Sequence, residues 1–96
     1  MISEEGTFTP DKIFLERRYG RIDIAKPFYE SDTETVQKLF ALIIPMRVEF
    51  DYEMQIFKIV AMSEHFESTE QGQQIPYYQV TINKTSPITD IKFKRV

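Results

Sequence analysis

His65 is the only histidine in the chain, and carboxylates surround it at Glu64, Glu67 and Glu70. An imidazole beside carboxylates can transfer protons or ligate a metal ion. This stretch lacks the ligand spacing of a metal site, and one histidine among scattered glutamates is common in solvent-facing loops. The pattern therefore favours an exposed loop and predicts no catalytic residue, metal ion or cofactor.

A second group of carboxylates alternates with apolar residues. Glu49, Asp51 and Glu53 would project from the polar face of a strand and could form a carboxylate pair. Alternating acidic residues of this kind usually just form the solvent-facing side of a sheet. Both acidic groups can instead contact a protein partner. The candidate partner-binding residues are Glu49, Asp51, Glu53, Glu64, His65, Phe66, Glu67 and Glu70.

Basic residues form two clusters towards the ends of the chain. The candidate basic patch consists of Arg17, Arg18, Arg21, Lys92, Lys94 and Arg95. If the clusters adjoin, they could hold phosphate, RNA or an acidic partner, with Tyr19 and Phe93 as stacking surfaces. The net charge of -3 argues against nucleic acid. Pairing with nearby acids, or with an acidic surface of a neighbouring subunit, fits the clusters better.

The composition excludes several kinds of chemistry. Because the chain has no cysteine, disulfides, thiolate catalysis and cysteine-ligated metals are ruled out. Its three glycines form no phosphate-binding loop. The first residues do not resemble a signal peptide, and no stretch approaches the roughly 20 apolar residues of a membrane span. We expect a single domain over residues 1–96, non-exported, cytoplasmic and without membrane contact.

The elements that position these residues begin with a helix predicted over residues 10–19. Thr9 suits its N-cap, Pro10 its first turn, and Gly20 the position after its end. The run at 13–15 could equally be a strand that enters a turn at Gly20, so helix and strand both stay open for this segment.

A short strand or extended segment and a second helix follow. Residues 22–28 alternate in polarity until Pro27, which would end the segment or hold it at a sheet edge. Residues 31–34 have the sequence of a capping box, with Ser31 as the N-cap, and a helix is predicted over 32–44, before Pro45. Its apolar stripe consists of Val36, Leu39, Phe40 and Ile43.

The strongest strand signal is the alternation from Arg47 to Met62. A change of phase after Ile56 indicates either one bulged strand or a hairpin, and we favour two strands, the second of them central and covered on both faces. A polar connection over 63–74 is typical of a binding loop or a protruding ribbon. The predicted fold is α+β, with one or two helices packed on an antiparallel meander or small barrel of four to five strands. Those strands are expected at about 46–51, 55–62, 75–84 and 88–95.

Three runs of sequence carry a resemblance to a known class of proteins: Met46-Arg47-Val48, Ile56-Phe57-Lys58-Ile59-Val60 and Tyr78-Gln79-Val80-Thr81-Ile82. Together with the polar excursion between them, they resemble the β-barrel half of phage head–tail joining and head-completion proteins over residues 46–84. The resemblance implies a subunit without catalysis that stacks in rings between portal and tail and reaches into its neighbours.

These features predict a non-enzymatic protein–protein interaction subunit of a larger assembly, located in a virion if the resemblance holds. Its partners would be other subunits or further copies of itself. The alternative is a small acidic inhibitor or immunity protein whose carboxylates mask a basic site on a toxin or nuclease. A third possibility is an enzyme that uses His65.

Overall fold

The computed structural model of the chain describes residues 10–85 and 88–96, which form three short helices and two antiparallel sheets. The predicted α+β class with antiparallel sheet is confirmed. The elements are α1 (Pro10–Leu15), β1 (Tyr19–Ala25), α2 (Lys26–Ser31), α3 (Thr33–Phe40), β2 (Ile44–Asp51), β3 (Ile56–Met62), β4 (Tyr78–Thr85) and β5 (Ile88–Arg95). The predicted N-cap Thr9 and the turn residues Ser86 and Pro87 lie outside the described residues.

Strand β3 is the centre of the first sheet, whose strand order is β1-β3-β2. Ile59 of β3 has Ile22 on one side and Val48 on the other, both in antiparallel register. The predicted central position of this strand is therefore confirmed. Its predicted cover on both faces is only partial: on the face opposite Ile59, Lys58 is exposed, whereas Ile56, Val60 and Met62 are half-buried.

Residues 46–62 form a hairpin rather than one long strand. Asp51 Oδ1 accepts hydrogen bonds from the backbone N–H groups of Glu53 and Met54 at 3.0 and 3.1 Å. Gln55 closes the turn by donating its N–H to the carbonyl oxygen of Asp51 at 2.8 Å, with a φ of 57°. Gln55 thus adopts the left-handed conformation for which hairpin turns usually use glycine or asparagine, and the Asp51 carboxylate accepts two backbone N–H groups of the turn.

Strands β4 and β5 form a separate two-stranded sheet. It adjoins the first sheet where the N–H of Arg21 donates to the carbonyl oxygen of Pro76 at 2.9 Å. Across residues 10–85 and 88–96 the strands therefore do not close into the small barrel that was one predicted form, and the meander is interrupted between β3 and β4. The prediction also did not count β1, which pairs along its whole length with β3.

The first helix is shorter than predicted. It ends at Leu15, because Arg17 adopts a left-handed conformation with φ of 55° and turns the chain into β1. Pro27 does end β1, but it does so by occupying the first turn of α2, where a missing N–H costs nothing. Phe28 is consequently helical and not extended.

Helix α3 begins and ends differently from the prediction. Asp32 is its N-cap and accepts the N–H of Thr35 at 3.3 Å, whereas Ser31 is the last residue of α2, so the predicted cap by Ser31 is wrong. The helix ends at Phe40, and Ile44 already belongs to β2.

The hydrophobic core lies between the first sheet, α3 and the second sheet. Its buried members are Ile22, Ile24, Leu39, Ile43, Ile59, Ala61, Phe66 and Tyr78, with partly buried side chains from α2, β4 and β5 around them. No residue of β2 belongs to this core in the described part of the chain. None of the three helices described is long and apolar enough to cross a membrane.

Candidate interaction surface

Strand β2 is an edge strand. It pairs with β3 on one side, and in the described ranges no strand pairs with it on the other. A register shift between Pro45 and Arg47 places a bulge near its start, so the regular part of the edge runs over residues 47–51. The N–H and C=O groups of residues 47–51 that point away from β3 can form hydrogen bonds with another extended chain.

Val48 and Phe50 of β2 lie on the core side of the sheet, because they pair with Ile59 and Phe57, but beyond the core. Val48 is directly opposite Ile59, and directly opposite residues share a face. Ile59 is 2 % exposed, whereas Val48 is 54 % exposed. The core therefore covers β1 and β3 and stops before β2.

Aromatic rings continue this surface to the hairpin tip. Phe50 packs on Phe57 with ring centroids 4.9 Å apart, and Tyr52 meets Phe50 edge-on at 4.8 Å. Tyr52 and Met54 are 79 % and 64 % exposed. We call Met46, Val48, Phe50, Tyr52 and Met54 together the β2 strip.

The opposite face of the same sheet carries a row of charges. Lys58 is flanked by Asp23 on β1 and by Glu49 on β2. Arg47 forms an ion pair with Glu49, and both side chains are exposed. These residues border a shallow groove of about 340 Å³ whose other lining residues are Arg21, Ile59, Val60 and Tyr77.

The three predicted carboxylates of this region have different surroundings. Asp51 holds the hairpin turn, and hydrogen bonds from the N–H of Met54 and of Glu53, together with Lys58 Nζ at 3.5 Å, keep the pKa of its carboxyl below the ordinary value of 3.8. Glu49 pairs with Arg47, and Glu53 is exposed on the turn. Only part of the predicted acidic surface therefore carries uncompensated charge.

The polar loop after β3 is fixed to the body of the protein and does not protrude as a ribbon. Phe66 is 1 % exposed, stacks on Tyr78 with ring centroids 4.5 Å apart, and is thus a core residue rather than an exposed contact. Ser63 Oγ donates to the carbonyl oxygen of Leu42 at 2.7 Å, and Thr69 Oγ1 donates to that of Arg17 at 2.8 Å.

The other candidate residues of this loop stay at the surface. Glu64, His65, Glu67 and Glu70 are exposed. The ring of His65 lies 5.8 Å from that of Phe93, and Glu67 forms an ion pair with Arg95. No group of three or more histidine, aspartate or glutamate side chains in residues 10–85 and 88–96 could hold a metal ion.

The arginines of the first basic cluster mainly stabilise the fold. Arg18 donates to the carbonyl oxygen of Phe66 and to Glu16 Oε1, each at 2.6 Å. Arg21 donates through Nε and Nη2 to the carbonyl oxygen of Ile75 at 3.1 and 2.9 Å.

The second basic cluster meets the first at one place. Arg21 and Arg95 line a common shallow groove of about 500 Å³. Lys92 pairs with Asp90 at 3.7 Å, and Lys94 is exposed on β5. Arg17 lies with its guanidinium 5.3 Å from the centre of the Tyr19 ring. The predicted patch is therefore not one continuous basic surface aimed at a single ligand.

Comparison of the chain with protein-family models, with curated proteins and with solved structures found no match in any of the three. The alternation from Arg47 to Met62 predicted neither the exposure of Val48 nor the ion pair between Arg47 and Glu49. Alternation showed that one face of this strand is apolar, but not that the core stops at β3. The sequence signal that could have indicated an exposed strand is the pair of opposite charges beside Val48. Arg47 and Glu49 flank this valine, and Met46 and Phe50 lie beyond them.

Proposed function

We propose that the chain is a non-enzymatic protein–protein interaction subunit that binds another protein chain through the edge of β2 and the β2 strip. The observation that carries this proposal is the contrast between Val48 and its cross-strand neighbour Ile59, which are 54 % and 2 % exposed on the same face. A partner that covers Val48 would extend the core across the whole sheet.

Two physical reasons support this site. Each apolar side chain removed from water favours association by roughly 25 cal/mol per Å² of buried surface. An open strand edge also offers unpaired N–H and C=O groups, which natural proteins usually protect or use for pairing. At Val48 both features coincide, because its exposed side chain belongs to the open edge. The exposed Tyr52 and Met54 continue this surface into the turn after β2.

The narrower form of the proposal is a virion joining or head-completion protein. It rests on the sequence resemblance of residues 46–84 to that class of proteins, whose subunits contact one another in rings. The described strands of this segment do not close into the barrel of that class, so the resemblance supports the proposal through sequence alone. An interaction strand at the periphery of a small domain suits such a role.

The inhibitor alternative has less support. It needs a surface with excess negative charge, yet Glu49 pairs with Arg47, Asp51 with Lys58, and Glu67 with Arg95. The enzyme alternative rests on His65 alone, whose ring lies 5.8 Å from that of Phe93.

Site-specific photo-crosslinking in the native host tests the proposed function. A benzoylphenylalanine at position 48 should form a crosslink to a protein chain that mass spectrometry identifies, at a defined site. The matched control is the same group at position 79, since Gln79 is also exposed on a strand but lies on β4. If position 48 gives no more crosslinked product than position 79, the β2 strip is not a binding surface.

A further inference from the structure

The sequence of the β2 edge is complementary to itself. From Met46 to Phe50 it reads apolar, positive, apolar, negative, apolar, with Val48 at the centre. In an antiparallel pair of identical strands centred on Val48, Arg47 of each copy lies opposite Glu49 of the other. The same register brings the two Val48 side chains together, and Phe50 of each copy meets the bulged start of the other strand near Met46.

We propose that the partner of β2 is a second copy of this chain, paired antiparallel along the edge with a two-fold axis at Val48. The two three-stranded sheets then form one six-stranded sheet. This inference rests on the proposed function and names the partner that the function leaves open.

The charges on the outer face of the sheet support this pairing. Across one chain the row reads Asp23, Lys58, Glu49, which alternates in sign from β1 to β2. The next position in the six-stranded sheet is Arg47 of the second copy, so the alternation continues across the interface. Opposite charges directly across from each other stabilise a strand pair, and like charges destabilise it.

Other registers of the same edge are less favourable. Centring the axis on Glu49 would place Glu49 opposite Glu49 of the second copy, and centring it on Arg47 would oppose two arginines. A shift by a single residue would set Val48 against Glu49. Pro45, which has no N–H, and the bulge after it end the regular edge on one side. The register at Val48 is thus selected by charge and by polarity.

Strand β5 offers a second open edge with a similar sequence, since Asp90 and Lys92 flank Ile91. Two features make it a poorer partner for itself. Lys94 and Arg95 give this strand an excess of positive charge, which repels a second copy. Ile91 is moreover packed against the core, so pairing there would cover less exposed apolar surface than at Val48.

Complementary charge reversals test the pairing. The single variants are Arg47→Glu and Glu49→Arg. In the homodimer of either single variant, residue 47 of each copy faces a residue 49 of the same charge. The two-fold axis produces this repulsive pair twice. Each variant alone should weaken the dimer by roughly tenfold or more. An equimolar mixture of the two should form a heterodimer, and the double variant R47E/E49R should dimerise as the wild type does. Formation of the heterodimer would also show that both single variants are folded.

The readout is the molar mass by light scattering during size-exclusion chromatography, from about 1 µM to about 1 mM. The wild type should approach twice the 11.4 kDa of one chain. Asp90→Lys and Lys92→Glu are the matched controls, because they reverse an exposed pair with the same spacing on β5, and they should leave the dimer unchanged.

Three results would overturn the inference: a wild-type monomer at every concentration, a dimer insensitive to both β2 reversals, or a dimer weakened by the β5 controls. The crosslinking experiment distinguishes these three results from failure of the proposed function. A monomer whose position 48 crosslinks to a different protein would refute the second copy and leave the interaction role intact. Absence of any specific crosslink at position 48 would refute the interaction role itself.

Discussion

Gly20 shows how a single residue can be needed for packing rather than for backbone freedom. The sequence placed it after a helix, but it lies within β1, opposite Ala61. A β-carbon at this position would be 2.7 Å from Phe66 Cδ2 and 2.8 Å from Tyr78 Cδ1. Because both rings are buried and stacked on each other, they cannot easily move away.

Gly20→Ala should therefore lower the free energy of unfolding by about 1–3 kcal/mol, measured by urea denaturation. The loss should shrink when Phe66→Leu is also present, because the leucine removes the ring atoms that the new methyl group meets. Gly72→Ala is the comparison: open space surrounds that position and its φ is +85°, so its loss should be independent of Phe66. Strictly additive effects of Gly20→Ala and Phe66→Leu would contradict this explanation.

Asp51 makes the hairpin turn sensitive to acid. Its pKa in the folded chain lies below the ordinary value of 3.8, chiefly because the N–H of Met54 donates to the carboxylate. The unfolded chain therefore binds the proton more readily than the folded one. The contribution of Asp51 to stability is complete above the unfolded pKa and is lost as the pH falls through the lower folded pKa.

Asp51→Asn keeps an oxygen that can accept from the two backbone N–H groups but removes the titrating carboxyl. We expect the melting temperature of this variant to fall less steeply than that of the wild type between about pH 5 and about pH 2. Equal slopes for the two proteins, measured by circular dichroism, would show that Asp51 does not contribute to the acid sensitivity.

Among the larger elements, the loop from Ser63 to Pro76 is anchored to the body by buried polar side chains. Ser63 is fully buried, receives the N–H of His65 at 3.1 Å, and donates to the carbonyl oxygen of Leu42. Removing its hydroxyl would leave two backbone groups without this partner. Loss of a buried partner usually costs about 1–3 kcal/mol.

Ser63→Ala should accordingly destabilise the protein by about 1–3 kcal/mol in chemical denaturation. Ser68→Ala, in an exposed part of the same loop, should change stability by no more than about 0.5 kcal/mol. Similar losses for both serines would mean that the loop is held by other contacts.

The elements differ in how far their sequences predicted them. The ends of β3 and β5 lie within about one residue of the predicted ones. Strand β5 alternates regularly in polarity, and β3 is bounded by the change of phase at Ile56 and by the polar loop that begins at Ser63.

The short strand or extended segment predicted over residues 22–28 is confirmed at Ile22 and Ile24, which belong to β1. Helix α2 was not predicted, because it follows β1 with no loop between Ala25 and Lys26. The N-cap of α3 is Asp32 and not Ser31, because Ser31 is the last residue of α2. The sequence of residues 26–31 does not by itself indicate that they form a helix.

The candidate site was predictable in part. Charge and polarity gave the residues at the surface, and most of them are exposed. Their partners depend on contacts between distant segments, such as Arg18 with the carbonyl oxygen of Phe66, and these cannot be obtained from local sequence. The exposure of Val48 likewise follows from where α3 and the second sheet pack, not from the sequence of β2.

For the whole molecule, the arrangement of its parts explains why one edge is open. Helix α3 and the β4–β5 sheet pack over β1 and β3, and the segment at Pro76 covers part of the β1 edge through Arg21. Strand β2 receives no such cover within the described residues, so the sheet is complete on one side and extendable on the other.

Amide hydrogen exchange measured by mass spectrometry at low and at high protein concentration tests the central claim most directly, because it reports which backbone groups a partner covers. If the β2 edge pairs with a second chain, exchange over residues 47–51 should slow as the mass doubles, whereas exchange over residues 90–94 of β5 should not. A doubled mass with unchanged exchange over residues 47–51, or with protection confined to β5, would contradict the claim.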